Sequence, residues 1–340
     1  MRLVVDGFGK FIGRKGETIV VKEDGKIVQR LQPSQLEQVI ISGKGSVSTD
    51  ALELLASHGV DVLIVSFRGE VLARLSPPEM RTVSTRREQY EAYKDERGVQ
   101  IAKEVIKSKL RNQASFLASL AKRRVETDRT LADELYASSL ALIQKAEAVE
   151  KVSGRRVDEV RETIMGIEGE GASIYWGILA KTLEQGWGFP GRTGRYAEDP
   201  INALLNYGYG ILLGECLRAI HYAGLDPYGG FLHADRPGKP SLALDLMEEF
   251  RAQLVDRVVF GLATKKALSP SDFEVLDGVC RLKDQARREV LEKLLEKLES
   301  EVRYKEMKLR FSDLILYQAR QLAKFLRGEI KAYEGFWLRW

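Results

Sequence analysis

The sequence predicts an α+β multidomain fold: a small N-terminal β domain followed by a larger all-α C-terminal domain. Three observations predict it. Short β-branched runs crowd the first 76 residues, Pro77-Pro78 then breaks the pattern, and from residue 99 onward apolar residues recur at helical spacing. The boundaries read as a β domain over 1–78, a linker over 79–98 and a helical domain over 99–340.

Within the first segment, Leu3-Val4-Val5, Thr18 to Val21, Ile27-Val28 and Val62 to Val65 are strand-like. Glu23-Asp24-Gly25 and Arg14-Lys15-Gly16 are turn signals. One helix interrupts them over Ser48 to His58. Ser48, Thr49 or Asp50 can cap it, Ala51, Leu54 and Leu55 give it an apolar face, and Gly59 ends it. The polar, charged stretch Glu79 to Gly98 reads as a partly helical linker. Beyond it, Val99, Ala102, Ile106 and Leu110 fall on one helix face, with Lys103, Lys107 and Arg111 on another. Further helices are expected around 130–150, 156–184, 200–222, 241–260, 270–298 and 302–333.

A chain of 340 residues suits about two domains. With 44% hydrophobic and 30% charged residues it can bury a core and keep a solvated surface, which excludes disordered, collagen-like and disulfide-stapled classes. No apolar run approaches the ~18 residues of a membrane span. The N-terminus, with Asp6, lacks a signal-peptide core. A cytoplasmic protein with no membrane partner is expected. Cys216 and Cys280 have neither metal-like spacing nor a disulfide pattern. The net charge of +4 hides an uneven distribution, with basic excess in 81–124 and 281–340 and acidic excess in 125–280. Basic surface attracts phosphate. An acidic middle suits simple DNA binding only if it holds cations.

Three places concentrate chemistry. In Met165 to Trp176, Gly166, Gly169 and Gly171 interrupt a helical register at a cost of ~1 kcal/mol each, which points to close packing, and Glu168 sits among small and apolar neighbours. A helix crossing with Glu168 bridged to an arginine is the structural alternative. The second is the Gly/Pro-rich connection Leu225 to Gly238, which carries His233. The third is Ser241 to Arg251, where Asp245 and Glu248 share a helix face and Glu249 can align with Asp245. Its structural alternative is an acidic helix partnered by Arg251 and Arg257. Together, a Glu, a His and a carboxylate pair make a plausible open metal site. Mostly oxygen donors suit Mg²⁺ or Mn²⁺, one imidazole tilts the choice toward Mn²⁺, and zinc stays open.

At these residues the chain resembles the CRISPR-associated spacer-acquisition integrase family, the first-numbered and near-universal Cas protein. The resemblance is carried by Ile167-Glu168-Gly169 through Tyr175, Asp199 to Tyr209, Gly224-Leu225-Asp226-Pro227 through Phe231-Leu232-His233, and Ser241 to Arg251. It covers about 164–258 strongly. It implies metal ligands Glu168, His233 and Glu248, with Asp245 beside them among the catalytic residues. Many members carry Asp where this chain has Glu248. It further implies a homodimer, formed through the β domain, and assembly with the second-numbered Cas protein, a small ferredoxin-like dimer. The implied activity is metal-dependent endonuclease and integrase chemistry on double-stranded and branched DNA, inserting fragments into a CRISPR array. Arg192, Arg195, Lys239 and Arg251 are candidate phosphate contacts by sequence neighbourhood. Two rivals are a DNA-binding scaffold without catalysis and a metal hydrolase of small phosphoesters.

Overall fold

A computed structural model describes residues 1–76, 83–194 and 196–338. The N-terminal strands are β1 (Arg2–Val5), β2 (Phe8–Lys15), β3 (Thr18–Glu23), β4 (Lys26–Leu31), β5 (Gln38–Ile41), β6 (Lys44–Val47), β7 (Asp61–Val65) and β8 (Val71–Leu75). They form two four-stranded sheets, ordered β1-β5-β7-β8 and β4-β3-β2-β6. In the first, β1/β5 and β5/β7 are parallel and β7/β8 antiparallel. Every strand-like run read from the sequence lies in a strand. The strands it did not single out include the glycine-rich β2 and the short β6, where polar residues hide the alternation. Helix α1 (Thr49–Ser57) starts where Ser48 Oγ accepts the Ala51 N–H at 3.2 Å. It buries Ala51, Leu54 and Leu55 against Ile12, Ile19, Val39 and Val62. Gly59, at φ 71°, reverses the chain after it.

The helical part holds α2 (Val83–Ala92), α3 (Glu96–Arg124), α4 (Arg129–Glu150), α5 (Val157–Ala180), α6 (Pro200–Tyr222), α7 (Ser241–Glu248), α8 (Arg257–Thr264), α9 (Asp284–Glu299) and α10 (Phe311–Leu326). Two antiparallel hairpins interrupt it: β9 (Phe273–Leu276) with β10 (Val279–Leu282), and β11 (Glu301–Tyr304) with β12 (Met307–Arg310). The expected all-α domain is therefore mostly helical with a small β part. Asp277 and Gly278, both at positive φ, close the first hairpin, so the expected helix over 270–298 begins only at Asp284. Of the expected linker, 79–82 lie outside the described residues with Pro77-Pro78. Residues 83–92 are α2, which buries Thr85, Gln89 and Ala92.

The first sheet packs on α6. The approach is so close that a Cβ added to Gly210 would lie 1.4 Å from the Gly69 carbonyl oxygen. Buried ion pairs join the two parts: Arg2 Nη2 is 3.0 Å from Glu215 Oε2, and Arg287 Nε is 3.0 Å from Asp6 Oδ1. In the C-terminal tail Phe336 stacks on Phe250 at 4.8 Å and is fully buried, while Trp340 lies outside the described residues. Both cysteines are free and buried. Among the described residues, no helix is long and apolar enough to cross a membrane.

Candidate active site

The long helix α3 is the site's spine. Its sequence places Lys109 among Ile106, Leu110 and Gln113, on the stripe that faces the core rather than on the face of Lys103 and Arg111. Helix α5 crosses against it at Gly171, where an added Cβ would meet Leu110 Cδ2 at 2.5 Å. That contact brings Glu168, one turn away, to Lys109. The expectation of close packing thus holds at Gly171 but not at Gly166 or Gly169, which have nothing within 4 Å.

Helix α7 delivers the other carboxylates. Its start is pressed against the loop that precedes it, a Cβ on Gly230 being 2.6 Å from Ser241 Cβ. Asp245, 1% exposed, organises that loop. Its carboxylate accepts the N–H groups of Phe231, Leu232 and His233 at 2.7, 3.0 and 3.0 Å. It also lies 2.6 Å from His233 Nδ1. An acceptor at that distance assigns the imidazole proton to Nδ1 and leaves Nε2 facing Glu248 Oε1 at 4.0 Å. Asp245 is therefore the residue that orients His233.

Glu248 is the meeting point. Lys109 Nζ lies 2.6 Å from Glu168 Oε1 and 2.8 Å from Glu248 Oε2, so one ammonium holds both carboxylates. Arg251 Nη2 lies 3.0 Å from Glu248 Oε1. Burial alone would raise the Glu248 carboxyl, but Arg251, Lys109 and His233 outweigh it and hold it at about 2. The same two carboxylates raise Lys109 against the effect of its own burial. Glu249, which sequence spacing could align with Asp245, turns away. It accepts hydrogen bonds from Tyr333, Gln318 and the Phe336 N–H.

A cleft of about 550 Å³ opens beside Lys109 and Glu168. Arg192, Tyr209, Arg251 and Trp176 also line it. Arg251 stacks 4.5 Å and Arg192 5.3 Å from the centre of the Tyr209 ring. The Tyr209 and Tyr175 hydroxyls both donate to buried Asp256, at 2.6 and 2.8 Å. Asp256 closes a π-helical turn, Ala252–Asp256, a distortion common at functional sites. Of the four candidate phosphate contacts, Arg192 and Arg251 reach this cleft. Lys239 sits in the loop after His233, and Arg195 is outside the described residues. Sequence reasoning missed Lys109, Tyr209 and Asp256. A lysine on an apolar stripe was the available signal for the first.

Among the described residues, no three His, Cys, Asp or Glu side chains are arranged to hold a metal ion. The reason is visible: Lys109 stands between two of the candidate ligands. The donor set nonetheless fits a hard divalent cation. It offers two carboxylates and an imidazole fixed through its other nitrogen, and the buried Glu248 Oε2 makes no hydrogen bond of good geometry even to Lys109.

Fold and site together define a strand-rich domain joined to a helical one that carries a carboxylate–imidazole–cation cluster beside a basic cleft. The family model described as CRISPR associated protein Cas1 matches residues 3–296, and the chain belongs to that family. It is 47% identical to CRISPR-associated endonuclease Cas1 1 of Archaeoglobus fulgidus over 100% of both chains. It is 34% identical to CRISPR-associated endonuclease Cas1 of Korarchaeum cryptofilum over 96% of this chain and 94% of that one. Among solved structures, a casposase bound to integration product matches with TM-score 0.82 and 28% identity, covering 98% of this chain and 92% of that one. A CAS1 protein from Thermotoga maritima shares the fold with TM-score 0.77 at 21% identity, over 100% of both chains.

Proposed function

We propose that the chain is a divalent-metal-dependent DNA endonuclease and integrase that joins DNA fragments to a CRISPR array by phosphodiester transesterification. Family membership, the endonuclease names of its relatives and its likeness to a casposase bound to integration product support the nuclease or integrase role. The observation that carries the finer reading is the convergence of Glu168 and His233 on Glu248.

Glu168, Glu248 and His233 Nε2 are the groups that would hold Mg²⁺ or Mn²⁺. When bound, the ion supplies Lewis-acid polarisation of the phosphodiester and charge neutralisation at the leaving oxygen. The chain's own residues do the rest. Asp245, 2.6 Å from Nδ1, keeps the imidazole ring aimed at Glu248 through Nε2. Lys109 balances the two carboxylates and can turn its charge toward a phosphate. Arg251 and Arg192, braced on Tyr209, present positive charge along the cleft to an incoming strand. A DNA 3′-hydroxyl as attacker gives joining, and water gives cleavage. The proposal extends to a cytoplasmic homodimer formed through the β part and to assembly with the second-numbered Cas protein.

The test is His233→Ala on a branched DNA substrate, with and without Mn²⁺. Metal-dependent cutting and joining are expected to fall at least 100-fold while the fold is kept. Wild-type activity in that variant removes His233 from the mechanism. Lys109 favours one second reading, because an internal ammonium makes the acidic cluster self-sufficient: a DNA-binding scaffold without catalysis. It predicts metal-independent DNA affinity and no cutting or joining by the wild-type protein.

A further inference from the structure

Beyond the Glu168–Glu248 cluster, α3 continues for about 21 Å from Lys109 to Arg123. One stripe of this helix, Lys109, Gln113, Phe116, Leu120 and Arg123, lines two clefts in turn: the first pair faces the candidate active site, the other three a second cleft of about 420 Å³. The chain from Arg251 to Lys265 runs alongside and also serves both. Gln253 Nε2 donates to the Asn112 carbonyl at 3.1 Å, and Arg257 Nη1 donates to Ser119 Oγ at 3.0 Å.

The second cleft gathers positive charge on an aromatic floor. Arg123, Arg257, Lys265 and Lys297 line it. The Arg257 guanidinium lies 4.9 Å from the centre of the Phe116 ring, and Lys297 Nζ 4.6 Å from that of Phe311. Among the described residues, Arg123, Lys265 and Lys297 form no ion pair. Among the described residues, the one carboxylate on the rim, Glu301, is paired to Lys308 at 2.5 Å. Burial and then the neighbouring Arg257 charge push the Lys297 ammonium down. Burial first, opposed by Tyr175 and reinforced by Arg123, brings Arg257 to about 10. Like charges held together at half-buried positions repel, and a polyanion between them relieves that repulsion.

The geometry points to a second nucleic-acid site in this cleft between α3, α8 and α9, where Arg123, Arg257, Lys265 and Lys297 grip the phosphate backbone of DNA whose reacting end lies at the Glu168–Glu248 cluster. The inference rests on the reading of the chain as a DNA-processing protein. Phosphodiesters are favoured over an acidic protein segment because the same helix stripe leads from this cleft to the candidate active site.

The test is the salt dependence of binding to a flapped DNA duplex. The triple variant Arg123→Gln, Lys265→Gln, Lys297→Gln is compared with the wild-type protein and with the charge-keeping triple Arg123→Lys, Lys265→Arg, Lys297→Arg. Removing three phosphate contacts should make the slope of log affinity against log salt shallower by roughly 2 to 3, while the charge-keeping variant retains the wild-type slope. If the glutamine triple fails to fold, the exposed single changes Arg123→Gln and Lys265→Gln carry the test, each with a slope change of about 0.9. An unchanged slope overturns the site and leaves the proposed function intact. A wild-type protein that binds no DNA overturns both. Loss of poly-glutamate binding with an unchanged DNA slope overturns the proposal in favour of a protein partner.

Discussion

Lys109 occupies the position between Glu168 and Glu248 that a cation is expected to take, and this sets the energetics of the whole cluster. Two carboxylates at this burial repel unless a positive charge separates them. Replacing Lys109 by Met leaves that charge to be supplied from outside. The variant is expected to lose about 3 kcal/mol of stability without divalent ions, the scale of breaking a buried pair. Added Mn²⁺ should raise its unfolding midpoint more than that of the wild-type protein. Equal metal responses in a thermal melt would count against a shared cation position. At this scale the sequence carried the identities of Glu168, His233, Asp245 and Glu248, but not their division of labour. Asp245 and Glu248 are three apart on one short helix, and spacing cannot tell which carboxylate orients the imidazole and which faces Lys109. The loop of Phe231 to His233 makes that distinction by donating three N–H groups to Asp245 alone.

Elements meet here through glycines, and each contact is a steric statement. Gly171 admits α3 to α5, and Gly230 admits the His233 loop to the start of α7. Gly210 is the tightest, because its neighbour is the backbone of Gly69, which has no side chain to move aside. Gly210→Ala should destabilise the protein by several kcal/mol, roughly the scale of severe overpacking. A urea titration followed by far-UV circular dichroism measures the loss, and an unchanged midpoint would refute the close approach. The glycines in Met165 to Trp176 were readable as a packing signal. Which of them packs was not, because that depends on the angle at which α5 crosses α3. The hairpin closed by Asp277-Gly278 was missed, because its four-residue strands lie inside the stretch expected to be one helix over 270–298.

Across the whole molecule, two buried carboxylates join the β part to the helical part. Burial opposes ionisation of Glu215, yet Arg2 and Arg218 hold its carboxyl below the usual value. Asp6 is likewise lowered against burial, by Arg287, Ser42 and Arg288. A carboxyl whose pKa is lower in the folded state binds fewer protons there than in the unfolded chain. Its contribution is complete above the unfolded value of roughly 4 and is lost as pH falls through that value toward the folded one. Stability should therefore be insensitive to these groups at pH 7 and fall below about pH 4. Glu215→Gln should flatten that fall in urea titrations between pH 3 and 6. A variant with the wild-type acid slope would show that the Arg2–Glu215 contact does not link the two parts.

By itself the sequence determined the order of the parts, β then helical, because side-chain periodicity is a local property of the chain. It also carried the family signature in Glu168, His233 and Ser241 to Arg251. What only the tertiary structure decided is how residues far apart in the chain share charge: Lys109 between Glu168 and Glu248, Tyr209 under Arg192 and Arg251, and Arg123 beside Arg257. These pairings follow from where α3 lies against α5, α7 and α8, and from where α6 meets α7 and the loop of Arg192. Coulomb energies depend on distance through space, and sequence separation does not encode that distance.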